Sequence, residues 1–215
     1  MTLEMAEKIH RFLENNSISS ANLMGGEFFC HPRWQEILDI LTCTLAKARL
    51  VTNGDWAADP TLANEVIRFL TTHQNIYVSV SFDQWHTNRH VDRACSLLKK
   101  NNIRFNIAKN GEEPILTSDG LVPVGRADLQ AGFYGFMGNY CSKPDHKYSF
   151  LIDENGTIYK CAFGIWDYAD VDEYLDGGFA ARFKEFNTVF YQAFINNCQS
   201  CSNVYQFRGH KKRAA

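Results

Sequence analysis

No stretch of this chain reaches the ~18 uninterrupted apolar residues that a membrane-spanning helix needs. The first residues, Met1 to Lys8, bring in acidic side chains at Glu4 and Glu7 and no apolar core, which excludes a signal peptide. The expectation is therefore a cytoplasmic protein with no membrane partner. An excess of one charge is also missing. The formal net charge is −2, so no nucleic-acid partner is expected. The one basic cluster, Lys211, Lys212 and Arg213, reads as a solvated C-terminal tail. No phosphate loop is present, because Gly25-Gly26 stands without the further glycine and lysine of that motif. No Ser–His–Asp ordering stands out either.

A hydrophobic content of 45% against 21% charged residues argues against wholesale disorder. The 215 residues fit one ordinary domain, or one larger and one small. They suffice for a real core, since a domain of roughly 150 residues already hides about two-thirds of its surface. Cysteine is not scarce: there are seven. In a reducing compartment these are poor disulfide candidates, and they divide between core residues and ligands.

The first hundred residues alternate between helix and strand patterns. Leu3, Ala6, Ile9 and Leu13 mark the inner stripe of an opening helix. A short apolar run, Ala21 to Met24, ends at Gly25-Gly26. Trp34, Ile37, Leu38, Leu41 and Leu45 fall at helical spacing after Pro32. Arg49 to Thr52 is a strand that stops at Asn53-Gly54. Asp59-Pro60 caps a helix with Leu62, Val66, Ile67 and Leu70 on its apolar face. Ile76, Val78, Val80 and Phe82 alternate as one face of a strand. Val91, Ala94, Cys95 and Leu98 form a further helix face, with Cys95 a buried small hydrophobe, and Ile103 to Ala108 is a fourth strand. The strands recur at about 27 residues, the length of one strand–helix unit, which implies a parallel sheet with right-handed crossovers. Four units do not close an eight-stranded barrel. The fold class is α/β, a partial (β/α) barrel over residues 1–130, with a possible fifth strand at Leu121–Val124.

Residues 131–215 read as a small cysteine-rich α+β module. The flanks of Glu154-Asn155-Gly156 form a hairpin, with Tyr148–Asp153 and Thr157–Cys161 as its arms. Phe179, Phe183, Phe186, Phe190 and Phe194 make the aromatic core face of a helix that ends before Cys198.

In a parallel α/β sheet, ligands gather at the carboxyl ends of the strands. Three such ends carry polar or flexible residues: Gly25-Gly26-Glu27, Thr52-Asn53-Gly54, and Ser79, Ser81 and Asp83. Paired glycines let a backbone approach a ligand closely, and Glu27 can accept hydrogen bonds from an ammonium group. Asp83 and His86 are candidates for substrate contact against a capping or surface role, and the spacing of His86 and His90 could share a metal. In the second module Cys141, Gly156 and Cys161 form a C-x14-G-x4-C pattern, followed by Cys198-x2-Cys201. A Cys-x2-Cys turn places two thiolates on one metal, and a hairpin cysteine is a common third ligand. Three readings stand for Cys141, Cys161, Cys198 and Cys201: a [4Fe–4S] cluster, a structural zinc ion, or unligated core thiols.

The Gly-Gly-Glu strand end, the His31-Pro32 step, the Thr-Asn-Gly end and the Ser81-x-Asp83 end together resemble the radical S-adenosylmethionine (radical SAM) superfamily. The cysteine pattern of the second module is similar to the shortened SPASM, or twitch, module of that superfamily. The resemblance implies that Gly25, Gly26 and Glu27 contact the amino group of S-adenosylmethionine, and more loosely that Asn53, Ser79 and Ser81 touch the cofactor. It also implies an auxiliary [4Fe–4S] cluster on the four cysteines, with zinc the alternative metal. Phe28 stands where the family usually has proline. A larger departure is the Cys-x3-Cys-x2-Cys loop on which the family builds its SAM-cleaving cluster. The chain has one Cys-x2-Cys, at the other end, and Cys30 and Cys43 are isolated.

Without that loop the chain alone is not expected to cleave SAM, and no residue is assigned a catalytic role. A truncated front, a protein partner supplying the cluster, or a degenerate domain would each account for the gap. The resemblance then implies a radical SAM-like iron–sulfur protein of a maturase-type system that modifies a peptide or small molecule. The competing reading is a non-enzymatic iron–sulfur or zinc-stabilised binding or electron-transfer protein on a degenerate barrel.

Overall fold

A computed structural model of the chain describes residues 1–24, 27–82, 89–109, 150–159 and 167–190. Gly25-Gly26, Asp83, His86, the expected strand at Leu121–Val124, the boundary near residue 130, Phe194 and all four cysteines of the expected metal site lie outside the described residues. The chain divides into two units, Met1–Asn110 and Gly111–Ala215.

In the first unit, α1 (Leu3–Asn15) starts where the Thr2 hydroxyl accepts the Met5 N–H at 3.1 Å. It is followed by β1 (Ser20–Leu23), α2 (Trp34–Thr42), β2 (Lys47–Thr52), α3 (Pro60–Thr72), β3 (Ile76–Phe82), α4 (Val91–Lys100) and β4 (Phe105–Lys109). Asp59 caps α3 by accepting the N–H groups of Thr61 and Leu62 at 2.7 and 3.3 Å, with Pro60 in the first turn. The α3 stripe is rotated from its expected position. Ala63, Val66, Phe69 and Leu70 are buried, whereas Leu62 and Ile67 are only half-buried. On α4 the buried residues are Val91, Ala94 and Leu98, and Cys95 is half-buried at the margin of that stripe, a correction to its expected place in the core.

The four strands form a parallel sheet in the order β1-β2-β3-β4. Sequential order with right-handed crossovers puts the intervening helices on one face. Burial follows that rule. Ala48, Leu50, Val78 and Val80 share the helix-covered face and are 0% exposed. Leu50 pairs with Val78 and Thr52 with Val80. The opposite face carries Asn22, Arg49, Val51, Tyr77, Ser79, Ser81 and Asn106. Among the described residues the sheet is four strands wide, with β1 and β4 at its edges.

In the second unit, β5 (Leu151–Ile152), β6 (Thr157–Tyr159) and β7 (Asp167–Asp170) form an antiparallel sheet, followed by α5 (Phe179–Phe190). The hairpin is where Asn155-Gly156 placed it. Gly156 has φ 89°, and the Asp153 carboxylate accepts the N–H groups of Asn155 and Thr157 at 2.9 and 3.0 Å. The strand β7 was not anticipated. It is short, with aspartates at both ends, and offers no apolar alternation. Its Tyr168 packs edge-on against Phe179 and Phe183, with ring centroids 5.9 and 5.4 Å apart, which accounts for the burial of those two α5 residues.

Candidate functional site

The carboxyl ends of β1 and β2 are joined by one side chain. Glu27 follows Gly25-Gly26 in the sequence after β1 and precedes a short 3-10 turn, Phe28–Cys30. Phe29 in that turn is 3% exposed and sits edge-on to Trp34 and Trp56, with centroids 5.1 and 5.8 Å away. This apolar anchor holds the loop against the core. The Glu27 carboxylate then reaches the end of β2. It accepts the Thr52 hydroxyl at 2.8 and 2.9 Å and the Asn53 backbone N–H at 2.8 Å. A further backbone donor is the Phe29 N–H. Burial pushes the Glu27 carboxyl above its ordinary range, and these hydrogen bonds oppose the shift without cancelling it.

A carboxylate offers about four acceptor positions, so three donors leave room for about one more. Glu27 therefore acts first as a staple between two strand-end loops. Asn53 is committed in a similar way. Its Oδ1 accepts the Asp55 N–H at 2.8 Å and its Nδ2 donates to the Asp55 carboxylate at 2.9 Å, an Asx turn that opens the 3-10 turn Asp55–Ala58. Between them, the Thr52 hydroxyl accepts the Gly54 N–H at 3.1 Å. Gly54 has φ 82°, and a Cβ there would lie 3.2 Å from the Ala94 Cβ. The glycine is thus needed both for its backbone conformation and for the close approach of α4.

Ser79 and Ser81 lie on the other face of the sheet, 0% and 8% exposed. Ser79 accepts a hydrogen bond from Arg49 Nη2 at 2.8 Å. Thus Glu27, Thr52 and Asn53 converge at one strand edge, while Ser79 belongs to a row with Arg49. The roles of Thr52 and Arg49 were not read from the sequence. Thr52 had only its place in a strand-end motif to mark it. Arg49 had a signal: a cation within an apolar strand, on the side facing away from the helices.

Among the described residues no group of three or more His, Cys, Asp or Glu side chains could hold a metal ion. Cys30 and Cys43 are exposed. Cys43 Sγ lies 3.6 Å from His10 Nδ1. His90 stands just before α4 without a capping hydrogen bond from its side chain. No described helix is long and apolar enough to cross a membrane.

No family model matches the chain. It is similar to the antilisterial bacteriocin subtilosin biosynthesis protein AlbA of Bacillus subtilis (strain 168), at 30% identity over 91 residues. Those residues are 42% of this chain and 19% of AlbA, so the chain matches only a minor part of that relative's length.

Proposed function

We propose that this chain joins a radical SAM-like (β/α) unit to a four-cysteine [4Fe–4S] module and serves a system that modifies peptides. The observation that carries this reading is the staple. Gly-Gly-Glu and Thr-Asn-Gly end adjacent strands of a consecutive parallel sheet, and the Glu27 carboxylate ties them together at its carboxyl edge. The likeness to AlbA supports the peptide part, because AlbA is named for the biosynthesis of a bacteriocin, and bacteriocins are peptides or proteins.

In this reading S-adenosylmethionine lies over that edge. Gly25 and Gly26 offer their backbone, Glu27 its remaining acceptor position, and Asn53 and Ser81 complete the set. Ser79, bonded to Arg49 below, is left out of it. Cys141, Cys161, Cys198 and Cys201 would hold the auxiliary cluster. When bound there, a fully thiolate-ligated cluster supplies electron transfer or structural support. The donor set suits it, and the β5–β6 hairpin ends at Tyr159, two residues before Cys161. The residues present do not fit a SAM-cleaving cluster. No Cys-x3-Cys-x2-Cys loop occurs in the 215 residues, and no radical step is assigned to them.

Titration calorimetry with S-adenosylmethionine tests the cofactor assignment. Saturable binding is expected, with affinity falling about ten-fold in Ser81→Ala, the loss of roughly one hydrogen bond to a charged ligand. Absence of binding by a chain with intact secondary structure removes the cofactor from the reading.

A further inference from the structure

The sheet face opposite Leu50 and Val80 holds polar groups that the strand-edge site does not use. Val51, Ser79 and Asn106 are in register across β2, β3 and β4. Arg49, two residues earlier on β2, shares their face and donates from Nη2 to Ser79. Two atoms in this row, Arg49 Nε and Asn106 Oδ1, are buried and have no hydrogen-bond partner among the described residues. One is a cationic donor and the other a neutral acceptor. Leaving such groups unpaired is costly, so a partner is expected.

The charge around them shows what kind of partner. None of the four strands contains an aspartate or glutamate, and among the described residues Arg49 has no ion-pair partner. The face is partly open to solvent, with Ser79 closed off. Asn22 is exposed, and Arg49, Val51, Tyr77 and Asn106 are half-buried. It is also separate from the carboxyl edge. Ser79 is three residues short of the end of β3, which places the row roughly 10 Å below that edge.

We propose that Arg49 and Asn106 form a binding site for a carboxylate-bearing peptide. The carboxylate pairs with the Arg49 guanidinium, and a neighbouring peptide N–H donates to Asn106 Oδ1. Ser79 is a positioning residue that holds the guanidinium in place. The choice of a peptide rests on the proposed function; the carboxylate and the N–H donor rest on the two orphaned atoms and on the missing counter-charge.

The test follows the arginine Nε–Hε resonance of Arg49 by nitrogen-15 NMR in the full chain purified without oxygen. The probes are two capped tripeptides, acetyl-Gly-Asp-Gly-amide and acetyl-Gly-Asn-Gly-amide. The aspartyl peptide is expected to shift the Arg49 resonance saturably and to bind about ten-fold more tightly than the asparaginyl one, the increment of a charge-assisted hydrogen bond. Asn106→Leu should weaken binding several-fold, Arg49→Gln should abolish the preference for aspartate, and Arg93→Gln, an exposed α4 control, should change nothing. Equal binding of the two peptides, or no shift at Arg49, overturns the proposal. If Arg49→Gln fails to fold, the peptide pair on the unaltered chain decides alone. Displacement of the aspartyl peptide by S-adenosylmethionine also overturns it, because the row would then belong to the cofactor. Peptide binding by a chain that contains no iron would leave this site standing and remove the iron–sulfur reading.

Discussion

Replacing Glu27 by alanine is expected to destabilise the fold by about 3 kcal/mol, because it leaves the part-buried Thr52 hydroxyl and the Asn53 and Phe29 N–H groups without their acceptor. Thr52→Val removes one donor from the same network and keeps the shape, so about 1 kcal/mol is expected. The two changes share a contact and should not be additive; denaturant titration of both singles and the double variant measures the coupling. A Glu27→Ala variant as stable as the parent would show that the staple does not hold the loops.

The sign of the pH dependence is also set by this environment. Burial raises the Glu27 carboxyl in the folded protein, so the folded state takes up its proton at higher pH than the unfolded chain does. The stability contributed by that titration is fully present below the unfolded value and is lost as pH rises through the folded one. Relative to Glu27→Gln, which does not titrate, the parent should therefore gain stability as pH falls through this carboxyl window. Paired denaturation curves from neutral to acidic pH measure the difference.

Gly54→Ala is the second change with a large expected effect. At φ 82° an L residue is strained, and the added methyl would meet Ala94 Cβ at 3.2 Å and the Val91 backbone at 3.6 Å. Together these are expected to cost about 2 kcal/mol and to lower the melting temperature by several degrees. Adding Ala94→Gly should recover the steric part and leave the backbone strain, once the cost of Ala94→Gly alone, about 1 kcal/mol in a helix, is subtracted. Because Gly54 also donates to Thr52, the variant should weaken S-adenosylmethionine binding as well.

The strand–helix rhythm was legible because each unit announces itself locally. Asp59-Pro60 starts α3, Asn155-Gly156 turns the hairpin, and Ile76, Val78 and Val80 alternate. Errors came where size outweighed hydrophobicity. Ala63 is on the buried face of α3 while Leu62 and Ile67 are only half-buried, because burial is decided by angular position and close packing rather than by hydropathy. Phe82 continues the alternation of β3, yet it is 43% exposed at the strand end.

Glu27 was read as a ligand contact. What the sequence did not reveal is that Thr52 and Asn53, 25 and 26 residues away, take up most of its acceptor capacity. Asn53 was expected at a cofactor, and the sequence did not reveal that its side chain also makes a local Asx turn with Asp55. The row of Arg49, Ser79 and Asn106 was beyond reach for the same reason, since only strand register makes neighbours of residues about 30 positions apart. The cysteine assignments stand on their spacing alone.

The most direct test of the central claim is the iron, sulfide and zinc content of the chain purified without oxygen, beside a variant with Cys198 and Cys201 both changed to alanine. The account predicts about four irons and four sulfides per chain, lost in the variant, as a single tetrathiolate cluster requires. One zinc and no iron would contradict it and make the second unit a zinc-stabilised module, whereas about eight irons would contradict the absence of a second cluster site in these residues.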